Sequence, residues 1–243
     1  MLQRTEGIVL RTVPYGEADL IATYLTKDFG IVKVFAKSPR KTKSRFGSSL
    51  EPLTFSRIAF WGKEETALPR LTQADIVHSF ISLRESLQCF IRVSELIEQT
   101  LHLVPERDTG RNVFPLLMKT LEIMETDSRN PLIELFYRLK LLEITGFLPG
   151  LHICGRCGDR SNAFHLPHGT VLCVKCSEDE DVSSSRLSPG VTAFYSSLMR
   201  WEISKLERLK PDDGILKELS LLIDEHSRYV MEKNLRSRGF RRG

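Results

Sequence analysis

Cys154-Gly155-Arg156-Cys157 and Cys173-Val174-Lys175-Cys176 form two CxxC pairs with fifteen residues between them. Each pair can present two sulfurs from one tight turn, and two such turns close a tetrahedral four-thiolate site. Gly155 and Gly158 supply backbone freedom to the first turn. Four thiolates leave no coordination position open to water or substrate, so the spacing points to one structural zinc per chain and away from a catalytic metal. His165 and His168 lie between the pairs and are the alternative ligands, and two disulfides are the alternative use of the sulfurs. Against disulfides stand an odd fifth cysteine, Cys89, and the sequence Met1-Leu2-Gln3-Arg4-Thr5-Glu6, which does not read as a secretory leader. A reducing, cytoplasmic setting is therefore expected.

A second chemistry is electrostatic. Lys37-Ser38-Pro39-Arg40-Lys41-Thr42-Lys43-Ser44-Arg45 carries five positive charges and no negative one. Cations tethered to a rigid scaffold can follow a phosphate backbone and release its counterions. The first 79 residues hold 12 Lys+Arg against 8 Asp+Glu, whereas the remainder holds 23 of each, so the whole net charge of +4 sits in that first segment. An excess confined to one segment suggests an anionic partner, with nucleic acid the first candidate. Arg11 and Lys33 belong to the same segment, and Tyr15, Tyr24, Phe35, Phe55 and Trp61 are its candidates for base stacking, although small barrels bury most such rings. The tail from Lys233 to Gly243 adds five basic residues, including Arg236, Arg238, Arg241 and Arg242, as a possible second patch or a frayed end. Cys89 reads as a small core hydrophobe, and His226, on an apolar helical face, as a core or boundary histidine.

Enzyme signatures are absent. The chain contains no GxxxxGK[ST], GxGxxG, HExxH or GxSxG, and no H-x-E ahead of a P-C-x-x-C as zinc deaminases require. No apolar run approaches the ~20 residues of a membrane span. The expectation is a non-catalytic protein without a membrane partner.

The elements that must position these residues follow from periodicity. Gly7–Val13, Asp19–Thr26, Ile31–Ala36, Leu53–Trp61 and Ala67–Val77 read as five short strands broken by turn residues, with Pro69 at a bulge or edge. Five strands in about 75 residues predict a small barrel of the OB type, with an SH3-like barrel fitting the pattern nearly as well. From Phe80 the period becomes helical. Leu83, Leu87, Phe90, Ile97, Leu101 and Val104 share a face that stops at Pro105; Val113, Leu116, Leu117, Leu121 and Met124 define a helix over about 109–126; and Asn130-Pro131 caps a third that Gly146 ends. After an acidic, serine-rich loop at 178–185, Ser188-Pro189 starts another helix on Val191, Phe194, Leu198 and Trp201, and a last one begins near Asp212 on Ile215, Leu219, Leu222, His226 and Val230. The expected fold is α+β: an OB-fold domain over 1–79, a helical domain over 80–150, a zinc module over 151–180, and the second part of the helical domain with the basic tail over 186–243.

Glu6-Gly7-Ile8-Val9-Leu10-Arg11, Pro14-Tyr15-Gly16-Glu17-Ala18-Asp19-Leu20-Ile21 and Phe29-Gly30 ahead of the basic loop then acquire a further meaning. With Leu50-Glu51-Pro52, Leu71-Thr72-Gln73-Ala74-Asp75, Gly146-Phe147-Leu148-Pro149 and Leu235-Arg236-Ser237-Arg238, they make the chain resemble, along its whole length, the bacterial RecO family of recombination mediators. That resemblance implies an N-terminal OB-fold that binds single- and double-stranded DNA and anneals complementary strands on the nucleoid. It implies action with RecR to load RecA onto DNA coated by single-stranded-DNA-binding protein (SSB). It also implies that the acidic, apolar SSB C-terminal tail binds the helical domain, and Arg138 between Leu135 and Leu139 is the nominated position. Some members of the family lack the cysteines, which agrees with a structural role for the metal. The DNA-contacting set is then Arg11, Lys33, Lys37, Arg40, Lys41, Lys43 and Arg45, with Tyr15, Phe35 and Trp61 as possible stacking residues. An RNA-directed or transcriptional zinc protein and a non-catalytic adaptor are the competing readings of the same residues.

Overall fold

The computed structural model describes residues 1–39, 46–62, 68–108, 112–178 and 184–232. The chain divides into two compact units, Met1–Ile97 with Val104–Leu121, and Glu98–Leu103 with Glu122–Gly243.

The first unit contains a closed barrel of β1 (Leu2–Tyr15), β2 (Asp19–Thr26), β3 (Gly30–Ala36), β4 (Thr54–Trp61) and β5 (Arg70–Ser79). The strand order is β1-β2-β3-β5-β4, with β4 pairing back onto β1, so the expected five-stranded OB-type fold is the one observed. Period-2 alternation builds it. Val32, Val34 and Ala36 point into the core with Val9, Tyr24 and Phe60, while Lys33 and Lys37 lie exposed. β1 is much longer than its apolar run predicts because its first half pairs with β4 and its second half with β2. A register shift between Val9 and Arg11 bends the strand from one neighbour to the other.

Gly30 could not be another residue without rearrangement. Its φ is +62°, and an added Cβ would stand 2.5 Å from the Asp108 carbonyl oxygen. The segment after the long helix is thereby able to run along β3, where the Arg107 amide donates to Ile31 at 3.0 Å.

The single helix expected after Phe80 is instead two, α1 (Ile81–Glu85) and α2 (Leu87–Leu103). Ser86 separates them with an extended ψ of 110°, and its hydroxyl accepts from the Cys89 amide at 3.4 Å as an N-cap would. The interruption turns Leu87 and Phe90 outward, at 74% and 38% exposure, so they do not share the buried face of Leu83, Ile97 and Val104. The predicted 109–126 helix is α3 (Val113–Thr126).

In the second unit α4 (Pro131–Thr145) begins where the Asn130 side chain accepts from the Leu132 amide, with Pro131 at the first turn, and ends at Gly146 with φ +83°. Short strands β6 (Ala163–His165), β7 (Thr170–Val171) and β8 (Ser185–Arg186) form one small sheet in the order β7-β6-β8, and the single-turn α5 (Val174–Ser177) starts just after Cys173 and carries Cys176. Ser188 caps α6 (Pro189–Arg200), as expected, and the last helix, expected to begin near Asp212, is α7 (Asp213–Met231) with the Asp212 side chain as its cap. Tyr195, on the inner face of α6, donates its hydroxyl hydrogen to the Pro149 carbonyl at 2.8 Å. Among the described residues no helix is long and apolar enough to cross a membrane.

Candidate metal centre and nucleic-acid interface

The four cysteines of the two CxxC pairs converge: the Sγ atoms of Cys154, Cys157, Cys173 and Cys176 all lie within 4.8 Å of one another. A tetrahedral zinc with Zn–S bonds of ~2.3 Å has S–S edges of roughly 3.8 Å, so the cluster has the size such an ion requires. The Cys157 and Cys173 sulfurs stand 3.5 Å apart, far beyond a disulfide's ~2.05 Å, and all five cysteines are free. His165 and His168 are not part of the cluster.

Backbone bonds make each turn rigid. The Gly158 amide donates to Cys154 at 2.9 Å, and the Cys176 and Ser177 amides donate to Cys173 at 3.0 and 3.1 Å. Arg156 adds a guanidinium bond to the Cys176 carbonyl at 2.7 Å. Gly155 admits the close approach of β7, because a Cβ there would meet Thr170 Cγ2 at 2.5 Å.

The thiols are electrostatically unequal. The backbone N–H of Cys173, helped by those of Cys157 and Arg156, draws the Cys154 thiol down to about 6. The neighbouring Cys173 and Cys157 sulfurs push Cys176 up to about 12. Four thiolates this close repel one another, and a divalent cation at their centre removes the conflict.

His226 ties this module to two helices of the same unit. Its Nε2–H donates to the Phe147 carbonyl, just past α4, at 2.8 Å; its ring meets the Phe164 edge of β6 at 6.0 Å between centroids; and Gly169 leaves room for its Cε1. It is the buried boundary histidine its position in the pattern predicts.

On the barrel, Arg11, Lys33 and Lys37 are exposed. Arg11 and Lys33 both register with Thr23 across β1-β2-β3, which places them in one transverse row. Lys33 is ion-paired with Glu106, an acid the sequence pattern did not connect to it. Arg40, Lys41, Lys43 and Arg45, and the tail arginines Arg236, Arg238, Arg241 and Arg242, lie outside the described residues. Of the aromatic candidates, Tyr24 is fully buried and Phe55 packs half-buried against Phe114 at 6.1 Å between centroids. Tyr15 and Trp61 are 57% and 62% exposed, and Tyr15 sets its ring edge-on to Phe35 at 5.8 Å. Sequence reasoning missed Arg70, which registers with Phe35 on β3 and with Trp61 on β4. No local signal marks it, because its neighbours are known only once the barrel is closed.

Arg138 lies in the second unit with only 6% of its side chain exposed. Its guanidinium bonds Asp224 of α7 at 2.6 Å and stands 3.8 Å from Glu134 one turn earlier. It braces α4 against α7.

Comparison with known proteins accords with this architecture. The family models for "Recombination protein O N terminal" and "Recombination protein O C terminal" match residues 1–80 and 85–239. The chain is 40% identical over 235 residues to the DNA repair protein RecO of Thermodesulfovibrio yellowstonii, covering 95% of this chain and 94% of that one. It is 30% identical to the DNA repair protein RecO of Dehalococcoides mccartyi over 95% and 91% of the two chains. The protein of the same name from Bifidobacterium adolescentis is 30% identical, with 97% of both chains covered. An OB-type barrel followed by a helical, cysteine-bearing unit is here the architecture of a DNA repair protein. The chain belongs to the RecO family.

Burial lowers the His226 pKa below its ordinary 6.5, against the opposing effect of the Phe147 bond. Below pH ~6.5 the unfolded chain therefore binds a proton that the folded chain resists, and stability falls as pH drops through that value. Thermal denaturation at pH 7.5 and pH 5.5 should show a loss that His226→Gln reduces. A variant with the full wild-type pH dependence would remove His226 from that role.

Proposed function

We propose that this chain is a non-catalytic recombination mediator, acting in the cytoplasm on nucleoid DNA, whose barrel domain over 1–79 binds single- and double-stranded DNA and anneals complementary strands. The observation that carries the reading is the exposed basic and aromatic face of a closed OB-type barrel in a chain of the RecO family. Arg11, Lys33 and Lys37, with Arg40, Lys41, Lys43 and Arg45 from the basic loop, neutralise phosphates of one strand and lower its repulsion for a second. Pairing then accelerates with no covalent step. Tyr15, Phe35 and Trp61 supply stacking surfaces that tolerate any sequence. Together with RecR, the protein would help RecA onto SSB-coated DNA.

Replacing Lys41, Lys43 and Arg45 with Ala should weaken DNA binding across sequences and flatten the plot of log K against log salt by about one unit per lost contact. An unchanged slope would discard the loop as the phosphate site. Competition by RNA of equal length decides the partner, since an RNA-directed protein gains from 2′-hydroxyl contacts and this one should not.

The thiol cluster holds one zinc in a structural role. Cys154, Cys157, Cys173 and Cys176 are its ligands, and closed tetrahedral coordination suits order better than chemistry. Metal analysis should find one zinc per chain, and a strong chelator should lower the melting temperature of the second unit while leaving DNA binding by the barrel largely intact. Protein prepared under reducing conditions with no metal and four titratable thiols at the cluster would refute the assignment.

The SSB tail binds at Arg138 by exchange, its carboxylates taking the place of Asp224 on the guanidinium. Arg138→Lys keeps the charge but loses the planar fork. Affinity for an SSB-tail peptide, read by fluorescence anisotropy, should fall by about tenfold while DNA affinity holds; equal peptide affinity would exclude this position.

A further inference from the structure

Barrel closure brings six outward side chains into one transverse row. The registers Val13–Ile21, Ile21–Phe35, Phe35–Arg70, Arg70–Trp61 and Trp61–Leu2 run unbroken across β1, β2, β3, β5, β4 and back to β1. Partners in register on neighbouring strands share a face of the sheet. That face is the outer one, because Val34, Ala36, Phe60 and Leu71, the chain neighbours of Phe35, Trp61 and Arg70, all lie in the core. Trp61 is 62% exposed, Leu2 41% and Val13 37%, while Ile21 and Phe35 are half-buried, so the row presents much of its apolar and aromatic surface to solvent. Arg70 is exposed in its middle and, among the described residues, has no ion-pair partner, unlike Lys33 in the next row.

This arrangement has a pitch. Neighbouring strands are spaced about 4.8 Å, so Phe35 and Trp61, one strand to either side of Arg70, stand roughly 10 Å apart. Bases stacked as in a duplex repeat every ~3.4 Å along a strand and would place three steps in that distance. Two consecutive bases can reach the two rings only if the strand between them is unstacked and extended. The phosphate joining them then crosses the guanidinium of Arg70.

We infer that Arg70, flanked by Phe35 and Trp61, is the centre of a single-strand platform that splays consecutive bases onto the two rings and holds the intervening phosphate. This rests on the DNA-binding reading above and specifies the form in which that site takes its ligand. The platform admits single strands and excludes a stacked duplex. Duplex binding falls instead to the surrounding cations.

The test uses the full chain and its own fluorescence. Trp201→Phe leaves Trp61 as the sole tryptophan of the two present. An oligo(dT) of about 16 nucleotides, an abasic oligomer with the same number of phosphates, and a duplex are titrated separately, with binding followed in parallel by anisotropy of labelled strands. Oligo(dT) should quench Trp61, whereas the abasic strand and the duplex should bind without quenching. In the same background Arg70→Gln should weaken oligo(dT) about tenfold and lower the salt slope by about one unit, and Arg70→Lys should keep the slope. Trp61→Ala should weaken oligo(dT) by roughly 5- to 100-fold and leave the abasic strand unchanged.

Oligo(dT) that binds with Trp61 emission unmoved overturns the platform while DNA binding stands. Quenching by all three ligands also overturns it, since phosphate contact would then suffice. Arg70→Gln with wild-type affinity and slope removes Arg70 from the site. No anisotropy change with any strand overturns this inference and the DNA-binding reading together.

Discussion

The parallel contact between β3 and β5 is the constraint on which the first unit depends. It consists of one register pair, Phe35 with Arg70, and the Phe35 amide donating to the Pro69 carbonyl at 2.7 Å. Without it the strands would form an open sheet with two unpaired edges, each a template for aggregation. With it, β5 is held between β3 and β4, and Arg70 acquires Phe35 on one side and Trp61 on the other. Pro69 suits the position because it donates no hydrogen bond and here needs only to accept one. The register shift in β1 supplies the opposite closure by letting a single strand serve two partners. The surface chemistry of the barrel is therefore a product of its topology more than of any contiguous motif.

A different constraint organises the cysteine module. Strands of two or three residues with a single-turn helix cannot bury enough surface to stand alone, and at their centre four thiols converge closely enough to hold a metal ion. Its attachment is made of polar atoms placed inside an apolar boundary. His226 spans Phe147, Phe164 and Gly169, and Tyr195 reaches the Pro149 carbonyl, so the segment from Phe147 to Pro149 is fastened from α6 and α7 at once. Such bonds favour this arrangement because losing either leaves a carbonyl, of Phe147 or Pro149, without that donor.

How much was legible in the sequence follows from the range of the determinants. The five barrel strands, the Asn130 and Ser188 caps, the start of the last helix near Asp212 and the cysteine quartet are set by residues close together in the chain and are readable from it, whereas β6, β7 and β8 are too short to give a pattern. The break at Ser86 is not readable either, because apolar residues continue at helical spacing on both sides while a serine hydroxyl locally competes for the backbone. Lys33 looked like a free cation, and Glu106, 73 residues away, engages it. Arg138 is nominated from the sequence for its place between Leu135 and Leu139, and Asp224 from a helix 86 residues later holds it. Arg70 carried no signal at all. Charges are conspicuous in sequence, but whether they are committed is decided by partners that only the fold supplies.

Annealing places opposing demands on a single-strand surface. Phosphates must be held tightly enough to offset repulsion, yet the bases must stay available to a second strand. A protein that gripped Watson–Crick edges would protect the strand from its complement. Stacking meets both demands, because a ring covers a base face and leaves the hydrogen-bonding edge outward. With a net excess of only +4 in the barrel segment, and Lys33 paired besides with Glu106 from beyond it, electrostatics alone would hold a strand weakly and salt-sensitively. Exposed aromatics add a contribution that salt does not screen. On the proposed function, Trp61 and Tyr15 stand in solvent because a stacking ring has to meet a base, where burial in the core would have contributed more to stability.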